Sequence, residues 1–202
     1  MTPALFFDLD GTLVDTERRH WEAWRDTLGP LGIAFSWLQY EAQAIGHSDP
    51  DILSSVASRA PDRFAQIDTL KILEAKRKQF CTIVSTVSLF HPDIVDVLRL
   101  IAHWDIALVT SSTRMETFAV LAGAGLSTLF KTIICLEDVQ RPKPDPQPYL
   151  VAMHRLSVRD GFAFEDSSVG SISARAAGLA VIEVRAPSEV CAVIRSEFLP
   201  RY

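Results

Sequence analysis

Apolar residues run along this chain in three rhythms, and the changes between them mark its organisation. Residues 4 to 7, Ala-Leu-Phe-Phe, form a short unbroken apolar run, the pattern of a strand buried on both faces. From Thr16 to about Ser85 the spacing becomes helical. Trp21, Trp24 and Leu28 recur three or four residues apart, followed by Ile52, Val56 and Arg59, and then by Ile67, Leu70, Leu73 and Arg77. Gly29-Pro30, Gly46 and Pro61 divide this stretch into several short helices, with no strand between them. After His91-Pro92-Asp93, where Pro suits the first turn of a helix, the third rhythm begins. Apolar runs at 106–109, 132–135, 161–164 and 180–184 alternate with amphipathic segments near 93–103, 114–123, 146–156 and 168–177.

Strands separated by crossover helices predict a parallel, doubly wound sheet. The N-terminal strand belongs with them, so the helical block is an insertion. The expectation is an α/β core domain made of residues 1–15 and 86–202, interrupted by a helical domain at 16–85.

Composition narrows the class. With 202 residues and 48% hydrophobic content, the chain can bury a full core, which excludes disordered and fibrous classes. A net charge of −5, without a dense Lys/Arg block, argues against nucleic acid as a partner and leaves room for a small anionic substrate bound by local positive charge. Cys81, Cys135 and Cys191 are widely spaced and contain no CxxC pair, so neither a disulfide framework nor a zinc site is indicated. No stretch approaches the roughly 20 apolar residues of a membrane span, and the N-terminus lacks a basic start with a long apolar core. A cytoplasmic protein with no membrane partner is expected, as a monomer or weak dimer.

Chemistry gathers where the predicted strands end. Asp8 and Asp10 close the first strand, and Gly11 gives the backbone freedom for a sharp exit. Burying two carboxylates is costly unless a cation, protons or hydrogen bonds compensate. Thr110, Ser111 and Ser112 follow the second strand and offer hydroxyls and N–H groups to an anion, although Thr110 could equally cap the following helix. Lys143 lies in the proline-stiffened run RPKPDP, and Glu165 with Asp166 closes the fourth strand. In open α/β sheets these C-terminal edges are where ligands bind. Acids, a lysine and hydroxyls together suit phosphoryl transfer with a hard cation such as Mg²⁺: cation and lysine neutralise phosphate oxygens, one carboxylate attacks phosphorus and a second moves the proton.

DLDGT, LVTSS, RPKPDP and FEDSSVG, in this order, resemble the four motifs of the haloacid dehalogenase superfamily, and the likeness covers essentially the whole chain. The helical insert is similar to the α-helical cap of the branch that includes β-phosphoglucomutase and phosphoglycolate phosphatase. The resemblance implies a Rossmann-like core with an α-helical cap, and a Mg²⁺-dependent phosphatase acting on a small phosphorylated metabolite such as a sugar phosphate or phosphoglycolate. It implies Asp8 as the nucleophile that forms an aspartyl-phosphate, Asp10 as general acid/base, and Thr110, Ser111 and Lys143 as phosphate-binding groups. The metal set it implies is the Asp8 carboxylate, the Asp10 carbonyl and the Asp166 carboxylate, with Glu165 binding directly or through water. Superfamily dehalogenases lack the second aspartate, so Asp10 favours phosphate chemistry.

Departures lie mainly in the insert. Asp49 stands where β-phosphoglucomutases are expected to carry a phosphate-binding Arg, and Ile45 replaces a lysine, which leaves a bisphosphate less to hold its second phosphate. Pro142 replaces a common Gly and still gives a rigid turn. His20, at a position where mutases carry histidine, and His47 are candidate substrate contacts, while Thr16 sits at the hinge. These keep a phosphomutase as the alternative reading. For His20 a packing role beside Trp24 is the plainer one.

Overall fold

The computed structural model describes residues 3–45, 47–86 and 88–199. Strand β1 (Leu5–Phe7) is followed by five helices: α1 (Glu17–Leu28), α2 (Trp37–Gln43), α3 (Asp49–Arg59), α4 (Pro61–Phe64) and α5 (Thr69–Val84). Alternation then sets in with α6 (Pro92–Leu100), β2 (Ile106–Val109), α7 (Arg114–Gly123), β3 (Thr132–Ile134), α8 (Gln147–Leu156), β4 (Phe162–Glu165), α9 (Ser168–Ala176), β5 (Ala180–Glu183) and α10 (Pro187–Val193). The chain divides into two compact units, Met1–Thr16 with Val87–Tyr202, and Glu17–Thr86.

The first unit is a five-stranded parallel sheet in the order β3-β2-β1-β4-β5. β1 is central, and Leu5, Phe6 and Phe7 are wholly buried, which is why the run carries no polar alternation. Phe7 stacks on Phe164 at 4.9 Å between ring centroids, and Phe6 meets Tyr149 edge-on at 6.3 Å. Removing one such ring costs about 3–5 kcal/mol, so this centre anchors the sheet edge beyond it. Each strand lies within one residue of its expected limits.

The second unit holds helices and no strand among its described residues, and its core joins Trp24, Leu28, Tyr40, Ile52, Val56 and Ile72. Helix α2 begins with a capping box, in which Ser36 accepts from the Gln39 N–H and the Gln39 side chain accepts from the Ser36 N–H. The break expected at Gly46 lies outside the described residues. One expectation fails on α5: Leu70, placed on the apolar stripe by its spacing, is 72% exposed, and Arg59 on α3 is exposed too. The buried face of α5 is Ile72, Lys76, Phe80 and Val84. A lysine at one of four inward positions hides this stripe from a hydropathy reading.

Lys76 is fully buried. It donates to Asp49 Oδ2 and His20 Nδ1, each at 2.7 Å, and Trp24 Nε1 donates to Asp49 Oδ1 at 3.2 Å. The His20 ring stacks on Phe80 at 4.0 Å. Burial, reinforced by the Lys76 ammonium, pushes His20 well below the ordinary histidine range, so the ring is neutral and Nδ1 accepts.

Candidate active site

The sheet register assembles the site. Phe7 is level with Leu108 on one neighbouring strand and Phe164 on the other, so the next residue, Asp8, falls level with Val109 and Glu165. The Asp8 N–H donates to the Phe164 carbonyl at 3.1 Å and continues the ladder. Lys143 is aimed at this point from the loop before α8. There Gln147 Oε1 accepts from the Gln140 and Arg141 N–H groups at 3.0 and 2.7 Å, and Ser173 Oγ donates to the Asp145 carbonyl at 2.6 Å. Lys143 Nζ donates to Asp8 Oδ1 at 2.7 Å, Glu165 Oε1 at 2.6 Å and the Val109 carbonyl at 2.8 Å, one acceptor from each of three adjacent strands.

Asp10 lies beyond β1 in a tight loop where the Gly11 N–H donates to the Val14 carbonyl at 2.8 Å. Its two oxygens accept from Thr16 Oγ1 at 2.5 Å and Ser112 Oγ at 2.6 Å. Asp8 is buried and Asp10 half-buried, so the two carboxylates occupy different surroundings. Asp166 is exposed and accepts from Thr12 Oγ1 at 3.4 Å. Gly11 adopts φ +82°, and a Cβ there would collide with the Asp166 carboxylate, so this glycine serves both the turn and the acid.

The charge balance is uneven. Burial drives Asp8 well above the ordinary carboxylate range, and Glu165 and Asp10 add to this, while Lys143 opposes it. Burial alone would lower Lys143, but Asp8, Tyr149 and Glu165 outweigh it and hold its ammonium well above the usual lysine value. Burial, then Glu165, raises Asp166.

The family model for "Haloacid dehalogenase-like hydrolase" matches residues 5–184, which span every strand and every site residue above. The chain belongs to this family. The hydrolase is 32% identical over 196 residues to the fructose-1-phosphate phosphatase YqaB of Escherichia coli K12, covering 90% of this chain and 95% of that protein. It is 26% identical to a phosphorylated carbohydrates phosphatase of Thermotoga maritima, covering 87% and 82%. Among solved structures, CbbY from Rhodobacter sphaeroides in complex with phosphate superposes with a TM-score of 0.75 at 25% identity, over 91% of this chain and 86% of that one. A β-phosphoglucomutase from Clostridium difficile shares the fold, with a TM-score of 0.71 at 22% identity over 91% and 84%.

A divalent cation fits the hydrolase's donor set. Asp8, Glu165 and Asp166 each offer a carboxylate oxygen, all within 4.8 Å of one another, and an all-oxygen anionic set is what Mg²⁺ selects. Asp10 lies beside this set, and Lys143 supplies the ammonium that contacts Asp8 and Glu165.

Of the other expected site residues, Thr110 is buried and accepts the Ser112 N–H at 3.0 Å. It does not cap α7: Thr113 does, in a capping box with Glu116. Ser111 is exposed. His20 lies within the helical unit's Lys76 cluster, and His47 is exposed on a bend. Three participants escape the sequence reading. Ser112 is one of three adjacent hydroxyls with nothing in the sequence to single it out, and the place of Thr16 at the hinge gives no sign of its pairing with Asp10. Tyr149 follows Lys143 by six residues and reads as an ordinary core aromatic. Its hydroxyl donates to Glu165 Oε1.

Proposed function

We propose that this hydrolase is a Mg²⁺-dependent phosphatase that cleaves a small phosphorylated metabolite, a sugar phosphate or phosphoglycolate-like ester, through an aspartyl-phosphate on Asp8. The observation that carries the reading is Lys143 Nζ bound simultaneously to Asp8, Glu165 and Val109 at the sheet edge. The phosphatase relatives in Escherichia coli and Thermotoga maritima support the substrate class.

Asp8 attacks phosphorus in line, and Asp10 gives a proton to the departing alkoxide, so that an acyl phosphate and a free alcohol form. Asp10 then takes a proton from water as that water attacks the same phosphorus, releasing phosphate and restoring Asp8. Thr16 and Ser112 hold both Asp10 oxygens and fix its aim. Lys143 turns the donor now on Asp8 toward a phosphoryl oxygen and keeps its contacts to Glu165 and Val109, while Thr110 and Ser111 line the same end. Asp8, the Asp10 carbonyl, Asp166 and Glu165 would hold Mg²⁺, which supplies charge neutralisation of the phosphoryl oxygens.

The alternative, a β-phosphoglucomutase-like phosphomutase, draws on His20 and on the fold. Against it, Asp49 brings negative charge to the position expected to bind a second phosphate, and it is already paired with Lys76 at 2.7 Å. The helical domain assigned to 16–85 offers the exposed His47 to substrate selection in either reading, whereas His20 is held in the Lys76 cluster.

Phosphorus NMR separates the two. Fructose 1-phosphate, phosphoglycolate and β-glucose 1-phosphate with a trace of bisphosphate are each incubated with the protein. Inorganic phosphate that appears with Mg²⁺ and ceases with EDTA is expected; conversion to glucose 6-phosphate without phosphate release would replace the phosphatase reading by the mutase one.

A further inference from the structure

We infer that Tyr149 is a positioning residue that divides the two oxygens of Glu165, committing Oε1 to Lys143 and leaving Oε2 for the divalent cation. The inference rests on the metal-dependent reading above. Glu165 is wholly buried, so its oxygens must find partners inside the protein. Oε1 accepts from both Lys143 Nζ, at 2.6 Å, and the Tyr149 hydroxyl, and two donors fill its two lone pairs. Oε2 accepts a long bond from Ser167 Oγ at 3.4 Å and retains capacity for a further partner.

Which oxygen faces which charge is otherwise poorly determined, because the terminal torsion of a glutamate is broad. Tyr149 removes that freedom. It is fully buried on α8, its ring lies edge-on to Phe6, and Lys143 Nζ stands 5.2 Å from its centroid, so packing rather than the carboxylate sets the hydroxyl's position. Gly170 closes the other side: a Cβ at that position would run into the Glu165 carboxylate. Pressed between Tyr149 and Gly170, the carboxylate is held with Oε1 toward Lys143. Outer partners of metal ligands act in this way generally.

The test compares wild type with Tyr149→Phe, which removes one oxygen and leaves the packed ring. Mg²⁺ alone is titrated calorimetrically into metal-stripped protein, and phosphate release is measured against Mg²⁺ and against ester. Mg²⁺ affinity is expected to weaken about 10–100-fold, with kcat falling over the same range. KM for the ester at saturating Mg²⁺ is expected to stay within about threefold, since substrate binding is not what changes. Met153→Ala, a truncation in the same core cluster, is expected to lower the melting temperature without moving Mg²⁺ affinity. Wild-type Mg²⁺ affinity in Tyr149→Phe would overturn the inference, and so would an equal loss of affinity in Met153→Ala. If no ester is hydrolysed but the affinities separate as described, the phosphatase reading falls and the role of Tyr149 stands.

Discussion

Each of the two units of this chain buries a lysine, and the contrast between them separates a structural device from a chemical one. In the helical unit, Lys76 donates to the Asp49 carboxylate and to the neutral His20 imidazole, so its ammonium is matched by an acid of the same unit. At the edge of the sheet, Lys143 meets Asp8 and Glu165 with Asp10 and Asp166 close by, and the acids outnumber the ammonium. A balanced buried pair contributes mainly by not being broken. An unbalanced one retains an attraction for positive charge, which is what a metal-assisted phosphoryl site requires.

The contrast breaks most sharply at Asp8. Asp8→Asn is expected to lower kcat by roughly 10⁴-fold or more, the scale seen when a nucleophile is lost, as read by single-turnover phosphate release. Asp10→Asn removes proton transfer and is expected to cost about 10²–10⁴-fold in kcat, with a smaller loss for esters whose leaving group needs no protonation, such as p-nitrophenyl phosphate. In the balanced cluster the effect moves to stability. Asp49→Asn removes the carboxylate that accepts from the buried Lys76 ammonium and is expected to destabilise the protein by about 3 kcal/mol, which denaturant melts would register. Adding Lys76→Met should recover most of that loss; no recovery would mean that the ammonium is not the cause.

The smallest effect is a pH dependence from His20. Its pKa in the folded protein lies well below the ordinary value of 6.5, so the unfolded chain takes up the proton first. Stability is therefore unaffected by this group above about pH 6.5 and falls as pH drops through 6.5 toward the folded value. His20→Asn keeps an acceptor without titrating, and its melting temperature should gain on that of wild type between pH 8 and pH 5. A difference that stays constant over this range would contradict the neutral assignment.

Much of the α/β unit was legible because its information is local. An apolar run ending in Asp8 and Asp10 states both a buried strand and a site at its edge, and the strand-helix alternation after His91 states the sheet. The helical unit was less legible because Lys76 is stabilised by Asp49, 27 positions away, and by His20, 56 positions away. Read alone, a lysine in a helix implies solvent, whereas the spacing of Ile67, Leu70, Leu73 and Arg77 points to a stripe on which Leu70 is exposed. Tyr149 was hidden for a similar reason: its ring satisfies a core pattern, and only the fold shows that its hydroxyl meets Glu165.

The central claim is that Asp8 carries the phosphoryl group during turnover. Protein quenched in acid while hydrolysing fructose 1-phosphate with Mg²⁺ should yield, on digestion and mass spectrometry, a phosphoryl adduct on the peptide containing Asp8, and Asp8→Asn should yield neither adduct nor turnover. Sustained phosphate release by Asp8→Asn would contradict it.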